Sequence, residues 1–114
     1  MRIVKSFENA LRGLAQMVRT EKNFQIHIVA LVFVTSAGFY FDINKVEWIA
    51  IMLISAMVLS AEAINSSIEK LSNHLHPEEH NAIKKVKDIA AGAVLVLAIF
   101  AIIIGLTIFV PYMK

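Results

Sequence analysis

Apolar residues fall into four regular stretches along the 114-residue chain. From Ile3 to Val18 they recur at steps of three and four, so that Ile3, Phe7, Ala10, Leu11, Leu14 and Val18 share one helical face. Arg2, Lys5, Glu8, Asn9, Arg12 and Gln16 fall largely elsewhere. That pattern predicts an amphipathic helix over residues 3–18, lying along a membrane surface. The next three stretches, residues 24–41, 46–71 and 88–110, are apolar nearly all round. Each is long enough to cross a hydrocarbon core, which takes about 20 helical residues. Asp, Glu, Lys and Arg are absent from Asn23 to Phe41 and from Ile89 to Met113, whereas the lower half of the middle stretch is broken by Glu62 and Glu69. The expected fold is an all-α membrane protein: one domain over residues 1–114, with an N-terminal surface helix and three transmembrane helices.

Composition agrees with that pattern. The chain is 58% hydrophobic with a mean hydropathy of +0.68, more apolar surface than a soluble core of this size can hide. Cysteine is absent, which excludes disulfide and thiolate chemistry. The formal charge of +2 comes from lysines and arginines clustered beside the apolar stretches, a placement that suits anionic lipid headgroups and not nucleic acid. Arg2, Lys5, Arg12, Arg19 and Lys22 precede the first span, and Lys70, Lys84, Lys85 and Lys87 lie between the second and third. The positive-inside rule therefore places the N-terminus and the 73–87 loop in the cytoplasm. Phe39, Tyr40, Phe41, Trp48, Phe109 and Tyr112 gather at the opposite boundary, as interface aromatics do. Pro77-Glu78-Glu79 reads as a helix start, with a short surface helix from Glu78 to Lys85 leading into the third span. Ala90, Ala91, Gly92 and Ala93 permit close helix contact in lipid, and a three-span unit with so little interior is expected to oligomerise.

Polar groups near one leaflet carry the candidate chemistry. Glu62, Asn65 and Glu69 are spaced to share one helical face. Glu69 falls near the cytoplasmic interface, and Glu62 lies about 10 Å deeper along the axis. Glu21 stands at the mouth of the first span, and Lys87 and Asp88 enter from the same side. A carboxylate within a lipid-crossing helix is costly and marks a working site. Glu21 and Glu69 offer the hard oxygens that Mg²⁺ takes alongside water and phosphate. Lys87 supplies positive charge for phosphate, with Arg2 and Arg19 helping at the surface. Glu62 is placed to take a proton from the hydroxyl of a lipid whose tail stays in the bilayer, with Asn65 orienting it. The implied reaction is phosphoryl transfer from a nucleotide to a lipid alcohol. Competing readings are an interhelical hydrogen bond between Glu62 and Asn65, a helix-start role for Asp88, and a cation- or proton-coupled transporter built on Glu62. An assembly subunit held together by these groups is a further alternative. His74, His76 and His80 lack the partners of a closed zinc site. A Gx₄GK[ST] phosphate loop is absent.

Three ordered motifs give a resemblance. Glu62-Ala63-Ile64-Asn65-Ser66-Ser67-Ile68-Glu69, Lys87-Asp88-Ile89-Ala90-Ala91-Gly92-Ala93-Val94 and Arg19-Thr20-Glu21-Lys22-Asn23-Phe24-Gln25-Ile26-His27 resemble the bacterial integral-membrane diacylglycerol kinase family, which includes undecaprenol kinases. The resemblance covers nearly the whole chain. It implies an ATP- and Mg²⁺-dependent lipid kinase with Glu62 as catalytic base, Glu21 and Glu69 on the metal, and Lys87 on the phosphates. Asn65 and Asp88 would support the site. It also implies a homotrimer with sites between neighbouring subunits, in a bacterial inner membrane, acting on the cytoplasmic side. The family usually places an acid where this chain has Asn73. His27 resembles the undecaprenol-kinase branch, so undecaprenol is the expected substrate, with diacylglycerol as the alternative.

Overall fold

A computed structural model describes residues 1–78 and 80–114. Helix α1 covers Arg2–Thr20, α2 Lys22–Phe41, α3 Lys45–Leu75 and α4 Asn81–Phe109, and the chain ends in a 3₁₀ turn over Val110–Met113. The last three helices are long and apolar enough to cross a membrane. The expected N-terminal helix and three long apolar helices are present, and each apolar stretch extends into polar flanks that the apolar pattern does not mark.

Local chemistry explains the boundaries. Glu21 is extended, with φ −100° and ψ 108°, and separates α1 from α2. Gln25 Nε2 donates to the carbonyl of Val18 across that break at 2.8 Å, tying the two helices together. At the far end of α2, Asp42 adopts φ 53° and ψ 56°, the left-handed conformation that ends many helices. Asn44 then starts α3 with a capping box, its side chain accepting from the Glu47 N–H while Glu47 accepts from the Asn44 N–H. Helix α4 starts at Asn81, later than the expected Pro77-Glu78 start, because His80 supplies the cap: its Nδ1 accepts from the Ala82 N–H. Pro77 and Glu78 lie in a bend. Glu79, the third residue of the expected start, lies outside the described residues. No separate surface helix forms over 81–85; these residues are the first turns of α4.

The helix α3 packs on both α2 and α4, and α1 rests on α2. The apolar core sits at the α2–α3 hairpin end, where Ile43, Ile51 and Ile108 are buried with Phe41, Trp48 and Tyr112 against them. Gly38 permits that closure: a Cβ there would lie 2.6 Å from the Trp48 ring. Of the aromatic residues expected at one membrane boundary, Phe41, Trp48, Phe109 and Tyr112 pack together against this core, while Phe39 and Tyr40 stay exposed. The polar groups lie at the other end, where α1, the start of α2 and the second half of α3 come together.

Candidate active site

The site grows out of the packing stripe of α3. Ile51, Ile54 and Val58 are buried on that stripe, and steps of four carry it on to Glu62 and Ser66, 6% and 5% exposed. Among the described residues, Glu62 is the one buried carboxylate. Its Oε2 lies 3.5 Å from His27 Nε2 on α2, an ion-pair distance that is long for a hydrogen bond. Because α2 and α3 run antiparallel, residues earlier in α2 meet residues later in α3. Glu21 accordingly sits opposite Ser66 and Lys70. Ser66 Oγ donates to Glu21 Oε1 at 3.0 Å, and Lys70 Nζ donates to Oε2 at 2.7 Å. Lys70, and after it Ser66, hold the Glu21 carboxyl below the ordinary glutamate range.

A second polar group forms where α3 ends and α4 begins. Lys87 Nζ donates to Asn73 Oδ1 at 2.8 Å. Asp88 accepts from Lys84 Nζ at 2.9 Å, one turn earlier on α4. A polar cleft of about 420 Å³ is lined by Asn73, His76, Glu78, His80, Lys84, Lys87 and Asp88 among others. The His76 and His80 rings lie 5.5 Å apart at its rim. A different, apolar cleft of about 220 Å³ runs between α2, α3 and α4, lined by His27, Val34, Ile51, Ile54, Val58 and Gly105 among others.

The sequence candidates are thus distributed over two clusters and some exposed positions. Asn65 is half-buried on α3, and Glu69, Arg2 and Arg19 are exposed. No group of three or more His, Cys, Asp or Glu side chains converges as a metal cage among the described residues. Three contacts escaped the sequence reading. His27 entered it only as a mark of one family branch, yet it faces Glu62. Ser66 and Lys70 carry no site role in the sequence pattern, yet both donate to Glu21. Ser66 and Lys70 do continue the Glu62 face at steps of four, which is the signal that was available.

Comparison with known proteins fits this geometry. The family pattern of prokaryotic diacylglycerol kinase matches residues 8–109. An undecaprenol kinase of Bacillus subtilis is 41% identical over 110 residues, covering 96% of this chain and 89% of that protein. A diacylglycerol kinase of Synechocystis is 30% identical over 96% of this chain, which spans 63% of the cyanobacterial protein. The diacylglycerol kinase of Escherichia coli is 26% identical, with 90% of this chain and 84% of that protein aligned. With three apolar helices, a buried carboxylate and a family match over nearly its whole length, the chain belongs to the prokaryotic diacylglycerol kinase family and is a kinase of lipid alcohols.

Proposed function

We propose that the chain transfers the γ-phosphate of ATP to undecaprenol, giving undecaprenyl phosphate, at the cytoplasmic face of a bacterial inner membrane. The observation that carries this reading is Glu62, a carboxylate on the packing face of a membrane-length helix and only 6% exposed. In the reaction, a Glu62 oxygen takes the proton of the lipid hydroxyl. The alcohol oxygen forms its bond to the γ-phosphorus as the bond to the β-phosphate oxygen breaks, and ADP leaves. Asn65, half-buried less than a turn along α3, orients the acid or the alcohol. The polar cleft with Lys87 and Asp88 receives the nucleotide phosphates. Asn73 is neutral, so its hydrogen bond to Lys87 leaves the lysine's net charge available to phosphate. Arg2 and Arg19, exposed on α1, add positive charge at the surface.

Glu21 and Glu69 would hold Mg²⁺. Their carboxylate oxygens are the donors that ion prefers, and two carboxylates suffice when water and phosphate complete the shell. When bound, the ion neutralises charge developing on the transferred phosphoryl group. Glu69 is exposed and, among the described residues, makes no ion pair. It is therefore open to a ligand, and in a homotrimer Glu21 would come from a neighbouring subunit.

Undecaprenol is favoured because the chain spans most of the relative that bears that substrate's name. Diacylglycerol is the second reading, favoured by the names of the other relatives. A purified enzyme in lipid vesicles, given labelled ATP, magnesium and both alcohols in competition, separates them. Label should appear chiefly on undecaprenol. Glu62→Gln should lower turnover at least ~10²-fold with assembly unchanged. Transfer to neither alcohol overturns the proposal, and preferential label on diacylglycerol replaces it with the second reading.

A further inference from the structure

The imidazole of His27 borders two features at once. Its Nε2 faces the buried Glu62 carboxylate at 3.5 Å, and its ring forms the one ionisable part of the wall of the apolar cleft between α2, α3 and α4. It is also the more exposed partner: its side chain is 25% accessible, against 8% for Glu62. From α4 the cleft presents only Ala101, Ile102 and Gly105. Glu21 and Lys70, charged groups nearer the α1–α2 break, are paired with each other. Glu62 is therefore the one charged group within ion-pair distance of His27 among the described residues.

We infer that His27, which itself lines the apolar cleft, is the positioning residue of the phosphoryl-transfer step: it fixes the Glu62 carboxylate and relays the captured proton to water. This rests on Glu62 being the base. After one transfer, Glu62 carries the proton that the lipid oxygen lost. A carboxyl this buried has little contact with water, and its ion-pair partner among the described residues is His27. His27 Nε2, closing from 3.5 Å to hydrogen-bond distance, accepts that proton. The Glu62 O–H bond breaks, an Nε2–H bond forms, and the imidazolium faces a carboxylate of opposite charge. The more accessible ring then gives up a proton to water and is neutral for the next cycle. The same contact selects one orientation of the acid, because a single partner on one side of a buried carboxylate limits its rotation.

The test uses the full chain in lipid vesicles with Mg-ATP and undecaprenol. His27→Gln keeps a hydrogen-bonding side chain of similar size but carries no titratable nitrogen; His27→Ala removes the ring. Both should lower kcat about 10²-fold with the KM for ATP unchanged. Added imidazole should restore part of the rate of His27→Ala. Wild-type kcat in either variant overturns the role of His27, and so does a fall in kcat that imidazole leaves untouched, which assigns the ring to packing alone. Nitrogen-15 spectra of the His27 ring in labelled protein give a readout that needs no His27 variant. Its signals should move on Glu62→Gln, and unchanged signals overturn the pairing. The parent reading fails separately: a Glu62→Gln enzyme that still turns over removes the base, whatever the His27 variants do.

Discussion

Glu21 shows how one side chain is held ready by its neighbours. Lys70 and Ser66 each occupy one of its oxygens, and both lower its carboxyl pKa from the ordinary 4.5. A carboxyl lowered in the folded state contributes stability that is complete above its unfolded value and lost as pH falls through the folded one. Lys70→Gln should therefore destabilise the protein at pH 7, by about 0.2–1 kcal/mol, since the lysine is half exposed. The gap between variant and wild type should close as pH falls below 4.5 and through the lowered folded value. Thermal unfolding in detergent across that pH range checks it, and a gap that widens in acid would contradict the pairing. Glu62 and Glu69 stand out in the sequence because charge is conspicuous in an apolar stretch, and Glu21 because it borders one. Their partners do not, because a partner on another helix leaves no spacing to read.

At the scale of elements, the hairpin between α2 and α3 sets which residues face each other. Its turn combines the left-handed Asp42 with the Asn44–Glu47 capping box. Glu47 also accepts from the Tyr112 hydroxyl, which ties the turn to the end of α4. Gly38 lets the Trp48 ring lie against the α2 backbone. Gly38→Ala puts a methyl into a rigid ring and should cost about 1–3 kcal/mol. The site lies about 16 Å further along α2, so the enzyme that remains folded should keep its kcat. A lowered thermal midpoint with unchanged kcat is the expected pair of measurements. Apolar runs predicted all four helices, while their ends depended on single residues. His80 caps α4 and moves its start past the expected Pro77-Glu78 position.

For the molecule as a whole, Glu69 is exposed and makes no ion pair among the described residues. If Glu21 serves a neighbouring subunit, a defect in Glu21 and a defect in Glu62 can be rescued by each other. Glu21→Gln and Glu62→Gln chains, each inactive alone and co-assembled in equal amounts, should recover about a quarter of wild-type activity, since each shared site then needs two independent intact contributions. No recovery would place both groups in one subunit's site. Native mass spectrometry in lipid should report three copies per particle.

Taken by itself, the order of apolar and charged residues determined the four helices, three of them long and apolar enough to cross a membrane, and singled out Glu62 as a carboxylate inside one of them, because burial of charge in lipid is costly enough to mark such a position wherever the chain folds. Tertiary structure alone decided that His27 meets Glu62, that Lys70 and Ser66 hold Glu21, and that Asn73 takes Lys87. Those pairings depend on the register between antiparallel helices. For the pairs between α2 and α3, register is fixed by the closed hairpin around Gly38, Asp42 and Asn44, far along the chain from the groups it brings together.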